Sequence, residues 1–119
     1  EKLKVTLPVI VSPMAYVSKK STIRQGSIIC HQALINAGAS IGANCIINSK
    51  ALVEHGAVIQ NHSHVSTGAL VNGQAIVGQA SFVGSNSTLG HGVHIGANCI
   101  ISAGKSVLKN LDAGTVVRN

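Results

Sequence analysis

Large aromatic side chains are almost missing from this sequence of 119 residues, which contains no Trp, one Phe and one Tyr. A core built around aromatic rings is therefore excluded. The sequence has no basic stripe interleaved with aromatic residues, the pattern that stacking on nucleic-acid bases requires. No apolar stretch approaches the ~20 residues of a membrane-spanning helix. We expect neither a nucleic-acid partner nor membrane insertion.

Acidic side chains are equally scarce, because Glu1, Glu54 and Asp112 stand against nine Lys and Arg residues and leave a net charge of +6. Most of the basic residues lie near the two ends of the chain: Lys2, Lys4, Lys19, Lys20, Arg24, Lys105, Lys109 and Arg118. Two interpretations stay open. The charge is either solvated at the ends of the fold, or it attracts an anionic substrate or cofactor such as a nucleotide phosphate.

A six-residue repeat of branched aliphatic residues runs through almost the whole chain. Every sixth position from Val11 to Val107 is Val, Ile or Leu, seventeen times without a break. These residue types fill 35 of 119 positions, so chance would give the run with odds of roughly 10⁻⁹. A second register follows four residues after each of these positions. From Ala15 to Cys99, fourteen of its fifteen residues are Ala, Ser or Cys, and Val93 is the exception.

A six-residue period fits neither a helix nor a plain strand. One small and one bulky residue two positions apart point inward from a short strand, and the remaining residues form a turn. Three such strands close one triangular coil of 18 residues. The heptamer Ile-Gly-Ala-Asn-Cys-Ile-Ile occurs at 41–47 and 95–101, three whole coils apart. We predict an all-β solenoid of five to six coils over 11–112, after an N-terminal linker (1–10) and before a C-terminal tail (113–119).

The three cysteines are expected to be unpaired. Cys45 and Cys99 occupy one inward column three coils apart, which is about 14 Å by strand spacing. A disulfide needs Cα atoms within about 7 Å, so these two cannot bond, and Cys30 should point outward elsewhere. Three free thiols indicate a reducing compartment, and we expect a cytoplasmic protein.

Glu54 is the sole carboxylate among the repeats, and it directly precedes His55. The pair could be a surface acid beside a turn histidine. However, a carboxylate near an imidazole raises its basicity and can fix its tautomer, as a general base requires. We therefore predict that His55 is a catalytic base and that Glu54 assists it.

Apolar residues are also expected on the outside of the solenoid. One side presents an outward column of Ile28, Ile46, His64, Phe82 and Ile100, and a neighbouring side presents Leu34, Leu52 and Leu70. Columns of this length should be covered, and a threefold ring suits a triangular cross-section. We predict a homotrimer.

His64 interrupts the isoleucine column with a polar group, as either a hydrogen-bonded interface residue or a ligand contact. Within one subunit, His55 and His64 should point apart, because His55 follows strand 51–54 and His64 lies on the far strand of the coil. Across an interface they could approach one another. We therefore expect an active site that is assembled between subunits.

The segments Val-Glu-His-Gly-Ala-Val-Ile at 53–59 and Ser-His-Val-Ser-Thr-Gly-Ala at 63–69 resemble the sugar acyltransferases of the left-handed parallel β-helix type. The most similar subgroup is the sialic acid O-acetyltransferase and nucleotide-4-amino-sugar N-acetyltransferase family of bacterial glycan pathways. The resemblance covers essentially the whole chain. It implies a left-handed helix and direct transfer of an acetyl group from acetyl-CoA, without a metal.

The same resemblance implies roles for individual residues. His55 would remove a proton from the acceptor amine or hydroxyl, His64 would contact acetyl-CoA, and Asn48 would lie near the acceptor. Gly73 would offer its backbone to the cofactor at the corner that also holds His91. We further expect the cofactor phosphates near basic residues of the later coils, with Lys105 and Lys109 as the candidates.

The chain departs from the family pattern in two respects. Some members carry a second acid directly after the base, where this chain has Gly56. Members usually also have a preceding α/β domain for the nucleotide part of the substrate and a Gly/Pro-containing tail, neither of which is in this sequence. The chain is expected to be either a fragment or a short enzyme that holds its acceptor differently.

Two alternative functions stay open for the same fold. A carbonic anhydrase of the γ type needs three histidines around zinc, and His55 and His91 have the spacing of two of its ligands. The third ligand would fall at Gly96, whereas His94 is expected to point outward from a strand. A non-catalytic trimeric solenoid is the other alternative. The acceptor sugar, and whether the modified atom is nitrogen or oxygen, are left undecided.

Overall fold

The computed structural model describes residues 6–118, which form eighteen two-residue strands and no helix. Residues 1–5 of the predicted linker and Asn119 lie outside the described residues. Within the described range, no helix is long and apolar enough to cross a lipid bilayer.

The strands form three parallel sheets, which are the three faces of a triangular solenoid. The isoleucine face consists of β1 (Ile10–Val11), β4 (Ile28–Ile29), β7 (Ile46–Ile47), β10 (His64–Val65), β13 (Phe82–Val83), β16 (Ile100–Ile101) and β18 (Val116–Val117). The leucine face consists of β2 (Tyr16–Val17), β5 (Leu34–Ile35), β8 (Leu52–Val53), β11 (Leu70–Val71), β14 (Thr88–Leu89) and β17 (Ser106–Val107). The mixed face consists of β3 (Thr22–Ile23), β6 (Ser40–Ile41), β9 (Val58–Ile59), β12 (Ile76–Val77) and β15 (His94–Ile95).

The pairing register follows the 18-residue period of the sequence. His64 pairs with Ile46 of the preceding coil and with Phe82 of the following coil. Each of the three sheets therefore grows by one strand per turn of the chain, and the solenoid has about six turns. The prediction of an all-β, left-handed parallel β-helix is confirmed.

The core is a narrow prism filled by the two inward registers. In the bulky register, Ile35, Ile41, Ile47 and Val53 are completely buried. Ala57 and the other small residues of the second register pack between these columns. Since every coil buries the same pair of side chains, stacking of neighbouring coils fills the interior without any aromatic ring.

Serine and cysteine in the small register also satisfy backbone groups at the turns. The Ser63 hydroxyl donates to the Gly78 carbonyl oxygen at 2.9 Å and accepts from the Ser81 amide at 3.2 Å. Cys45 occupies the same column, and its thiol donates to the Gln60 carbonyl oxygen at 3.2 Å. Burial raises the pKa of this thiol. All three cysteines are free, as predicted.

Three corners join the faces. The His55 corner, between the leucine and mixed faces, comprises 18–20, 36–38, 54–56, 72–74, 90–92 and 108–110. The Arg24 corner, between the mixed and isoleucine faces, comprises 24–26, 42–44, 60–62, 78–80 and 96–98. The Asn48 corner, between the isoleucine and leucine faces, comprises 12–14, 30–32, 48–50, 66–68, 84–86 and 102–104. From Gly26 to Gly104, one residue in each corner has a positive φ, which explains the Gly and Asn residues found there.

The last coil is shorter than the others. Ile100 pairs with Val116, and Ile95 forms a bridge with Leu111, so each partner lies 16 residues away instead of 18. The six-residue series accordingly ends at Val107. The strand β18 lies within the segment 113–119 that the sequence assigns to a tail, so the solenoid extends beyond residue 112.

Candidate functional site

His55 lies at a turn between β8 and β9, and its side chain is exposed. Its Nε2 atom is 3.7 Å from the position that a β-carbon would take on Gly38, one coil nearer the N-terminus. The ring therefore extends toward Gly38, where no side chain competes with it. A base at this position is open to solvent and to a substrate.

The carboxylate of Glu54 is held by a residue of the preceding coil. Asn36 lies 18 positions before Glu54 at the same corner, and its Nδ2 donates to Oε1 of Glu54 at 2.8 Å. The Asn36 Oδ1 atom accepts from the Ala37 amide at 2.7 Å, which fixes the side-chain orientation. The sequence reasoning missed Asn36, although its offset of one coil from Glu54 was the signal that could have found it.

Gly56, where some relatives would carry a second acid, cannot accommodate a side chain. Its φ is +70°, and a β-carbon there would lie 2.3 Å from Nε2 of Gln74. A residue with a side chain would be strained by the backbone conformation and would displace Gln74. Glu54 is therefore the carboxylate that the chain itself places beside His55.

Gly73 separates His55 from His91 along the corner. A β-carbon on Gly73 would lie 3.3 Å from the carbonyl oxygen of His55 and 3.2 Å from Nδ1 of His91. The absence of a side chain therefore leaves a gap one coil high between the two histidines. His55, Gly73 and His91 form a column at the corner, as the sequence predicted.

The two candidate lysines lie at different corners. Lys109 follows β17 and is exposed at the His55 corner, in line with His91. Lys105 precedes β17, next to the Asn48 corner, and its amide donates to the Ser87 hydroxyl at 3.0 Å. Within one chain, only Lys109 shares the corner with the histidines.

His64 lies on the isoleucine face and is partly buried. Its ring meets Phe82 edge-on, with ring centroids 5.2 Å apart and planes at 87°. Asn48 Nδ2 donates to His64 Nε2 at 3.2 Å. Burial lowers the pKa of this imidazole. A neutral ring that accepts at Nε2 carries its proton on Nδ1, so Nδ1–H is the donor that His64 can offer to a ligand.

His55 and His64 do not meet within one chain. His55 occupies the corner between the leucine and mixed faces, and His64 projects from the isoleucine face opposite that corner. The expectation that they point apart is confirmed. The histidines at 55 and 91 do not gather a third ligand either, because residues 6–118 contain no group of three or more His, Cys, Asp or Glu side chains that could hold a metal ion.

Residues 74–109 match the family model described as bacterial transferase hexapeptide (six repeats). The chain carries bacterial transferase hexapeptide repeats. A sequence comparison with curated proteins finds no match. The family match covers the later coils, which include His91 and Lys109.

The solved structures similar to the chain include several acetyltransferases. The acetyltransferase domain of PglB from Neisseria gonorrhoeae is 28% identical, with a TM-score of 0.92 over 93% of this chain and 54% of that one, and it has also been solved with acetyl coenzyme A. PerB from Caulobacter crescentus, in complex with CoA and GDP-perosamine, is 25% identical, with a TM-score of 0.56 over 93% of this chain and 54% of that one.

LpxA from Acinetobacter baumannii is 15% identical, with a TM-score of 0.60 over 88% of this chain and 67% of that one. This similarity concerns the fold alone. The chain spans about half the length of the PglB domain and of PerB.

Proposed function

We propose that this chain is the catalytic solenoid of an acetyl-CoA-dependent acetyltransferase. The acceptor is a sugar, or an amino sugar linked to a nucleotide, in bacterial surface-glycan synthesis. The acetyltransferase domain of PglB, solved with acetyl coenzyme A, has nearly the same backbone over 93% of the chain. PerB, solved with CoA and GDP-perosamine, supports the same class of acceptor.

The gap at Gly73 is the observation that carries the proposal. It lies between His55 and His91, and any side chain at residue 73 would close it. A slender, extended molecule such as the pantetheine arm of acetyl-CoA fits a channel of this kind along a corner. Lys109, at the same corner, could pair with a cofactor phosphate.

In the reaction that we propose, His55 acts as the general base. The acceptor nitrogen or oxygen attacks the thioester carbonyl carbon, and the new C–N or C–O bond forms while His55 takes the proton from the attacking atom. The C–S bond then breaks, and CoA leaves as a thiol after protonation. Nε2 of His55 extends over Gly38, so the acceptor approaches from the N-terminal coils and the thioester from the Gly73 side.

The site is complete only between two copies of the chain. His64 lies opposite the His55 corner, and the column around it is apolar and exposed, with Phe82 37% and Ile100 48% accessible. A homotrimer covers these columns and brings His64 of one copy toward His55 of the next. Nδ1–H of His64 then hydrogen-bonds to acetyl-CoA, and Asn48 orients the ring from the other side.

Three further predictions accompany the proposal: no metal takes part, Lys105 and Lys109 lie near the cofactor phosphates, and the protein works in the cytoplasm. Acceptors of the sialic acid O-acetyltransferase type remain the alternative, since one histidine base serves nitrogen and oxygen equally. A thiol-release assay with acetyl-CoA tests the function against a panel of amino-sugar nucleotides and sialic acids. Acceptor-dependent release of CoA from one member is the expected result, and no release above background with any member would contradict the proposal.

A further inference from the structure

An open groove of about 400 Å³ runs along the Arg24 corner, away from His55. Its lining residues come from consecutive coils of the mixed face and of that corner: Arg24, Ser40, Gly42, Val58, Ile59, Gln60, Asn61 and Gln79. The acetyltransferase proposal assigns no role to this groove.

The amide side chains of the groove have their oxygen atoms already engaged. Oδ1 of Asn61 accepts the Ala43 backbone amide at 2.9 Å. Oε1 of Gln60 accepts the Gln79 backbone amide at 3.2 Å. An amide group has one oxygen acceptor and one NH₂ donor. Both side chains therefore have their NH₂ groups left as the functional ends that a ligand can use.

Arg24 adds a positive charge and further donors to the same groove. A guanidinium group carries five N–H donors and no acceptor. Glu54 and Asp112 are the only acids among residues 6–118, and neither lines the groove. The nitrogen-bearing side chains thus present donors and positive charge without a carboxylate that would neutralise them.

The floor of the groove is kept open by Gly42. A β-carbon on Gly42 would lie 2.7 Å from the backbone nitrogen of Asn61, so no side chain can fill this space. Val58 points outward from β9 and supplies an apolar wall. The groove is also larger than a single small anion needs.

We propose that this groove binds an oxyanion, a phosphate or a carboxylate, that is carried by a larger and partly apolar molecule. Arg24 pairs with the anion, and the NH₂ groups of Gln60 and Asn61 complete its hydrogen bonds. Val58 contacts the apolar part of the ligand. This site is separate from the His55 corner and does not depend on the acetyltransferase proposal.

Titration of the isotope-labelled protein with inorganic pyrophosphate and, separately, with malonate tests the site by NMR. Saturable shifts are expected for the backbone amides of Gly42, Gln60 and Asn61. Stronger binding of pyrophosphate identifies a phosphate ligand, and stronger binding of malonate identifies a carboxylate ligand. The absence of saturable shifts with both probes would overturn the proposal.

Two isosteric variants remove donors and keep the fold. Asn61→Asp and Gln60→Glu retain the oxygen that accepts the backbone amide, but each replaces an NH₂ donor by a negatively charged oxygen. Each should weaken binding at least about tenfold, as expected for losing a charge-assisted hydrogen bond and adding repulsion. Asn86→Asp, at the Asn48 corner, changes the net charge equally and should leave the affinity within about twofold.

Arg24→Ala should also reduce affinity at least about tenfold, whereas Lys19→Ala, at the His55 corner, removes the same charge without the same effect. Equal losses in the paired variants would mean that net charge alone attracts the probes, and this result would overturn the assigned groove. Retention of wild-type affinity by Arg24→Ala would overturn it as well.

Discussion

The imidazole of His91 lies over Gly73, with Nδ1 3.2 Å from the position of a β-carbon on that glycine. The φ of Gly73 is not positive, so a branched side chain can occupy this position without backbone strain. We predict that Gly73→Val folds normally but fills the gap between His55 and His91. The KM for acetyl-CoA should rise about tenfold or more, since a blocked contact surface costs one to several kcal/mol of binding.

Ala37→Val is the matched control for this variant. Residue 37 occupies the equivalent place at the His55 corner, one coil nearer the N-terminus than His55. Steady-state kinetics should show an unchanged KM for acetyl-CoA in Ala37→Val. If Gly73→Val also keeps the wild-type KM, the cofactor does not pass through the gap.

The charge of Glu54 can be removed without removing its hydrogen bond. Glu54→Gln keeps an oxygen that accepts from Asn36, which in the wild type donates at 2.8 Å. We expect a smaller loss of turnover than for His55→Ala, because the base remains. The acid limb of the pH–rate profile should move to lower pH, since loss of a negative charge disfavours the imidazolium form. Asn36→Ala, which keeps the charge, should move it less, and an unmoved limb in Glu54→Gln would show that Glu54 does not assist the base.

The apolar columns predict a specific effect on assembly. Ile46 is partly buried on the isoleucine face, and Phe82 is 37% exposed in the single chain. Ile46→Asp or Phe82→Asp places an uncompensated charge in the predicted interface and should yield monomers on sedimentation. Thr22→Asp, on the mixed face, should leave the mass unchanged. Trimers in all three variants would show that the isoleucine face is not the interface.

His64 should make stability depend on pH. Burial holds the pKa of His64 below the ordinary 6.5, so the folded protein keeps the ring neutral while the unfolded chain takes up a proton. Stability is then fully present above about pH 6.5 and falls as the pH decreases below it. Between pH 7.5 and 5.5, the Tm of the wild type should fall more than that of His64→Leu. An equal fall in both proteins would assign the pH dependence to other groups.

Most of the fold could be predicted from the sequence because every coil repeats the same local requirement. Ile41 and Cys45 belong to inward registers that stack directly on the next coil, so a period of six in the sequence becomes a column in space. The shortened last coil lies beyond Val107, where the series ends, and Val116 pairs with Ile100 after a two-residue deletion that no period can announce.

The candidate site was less accessible to such reasoning. Repeat arithmetic placed His55, Gly73 and His91 at one corner, because they are 18 residues apart. The bond from Asn36 to Glu54 and the engaged oxygen of Asn61 depend on side-chain orientation, which composition and spacing do not determine. The meeting of His55 with His64 requires a second copy of the chain, so it stays a prediction.

The rate of acetyl transfer by His55→Ala is the most direct test of the acetyltransferase account. Loss of a general base typically costs about 10²–10⁴ in rate, so turnover should fall at least about a hundredfold while CoA binding, measured by calorimetry, is retained. His94→Ala removes an exposed histidine from the mixed face and should keep wild-type turnover. A His55→Ala enzyme that transfers acetyl groups at full speed would contradict the mechanism.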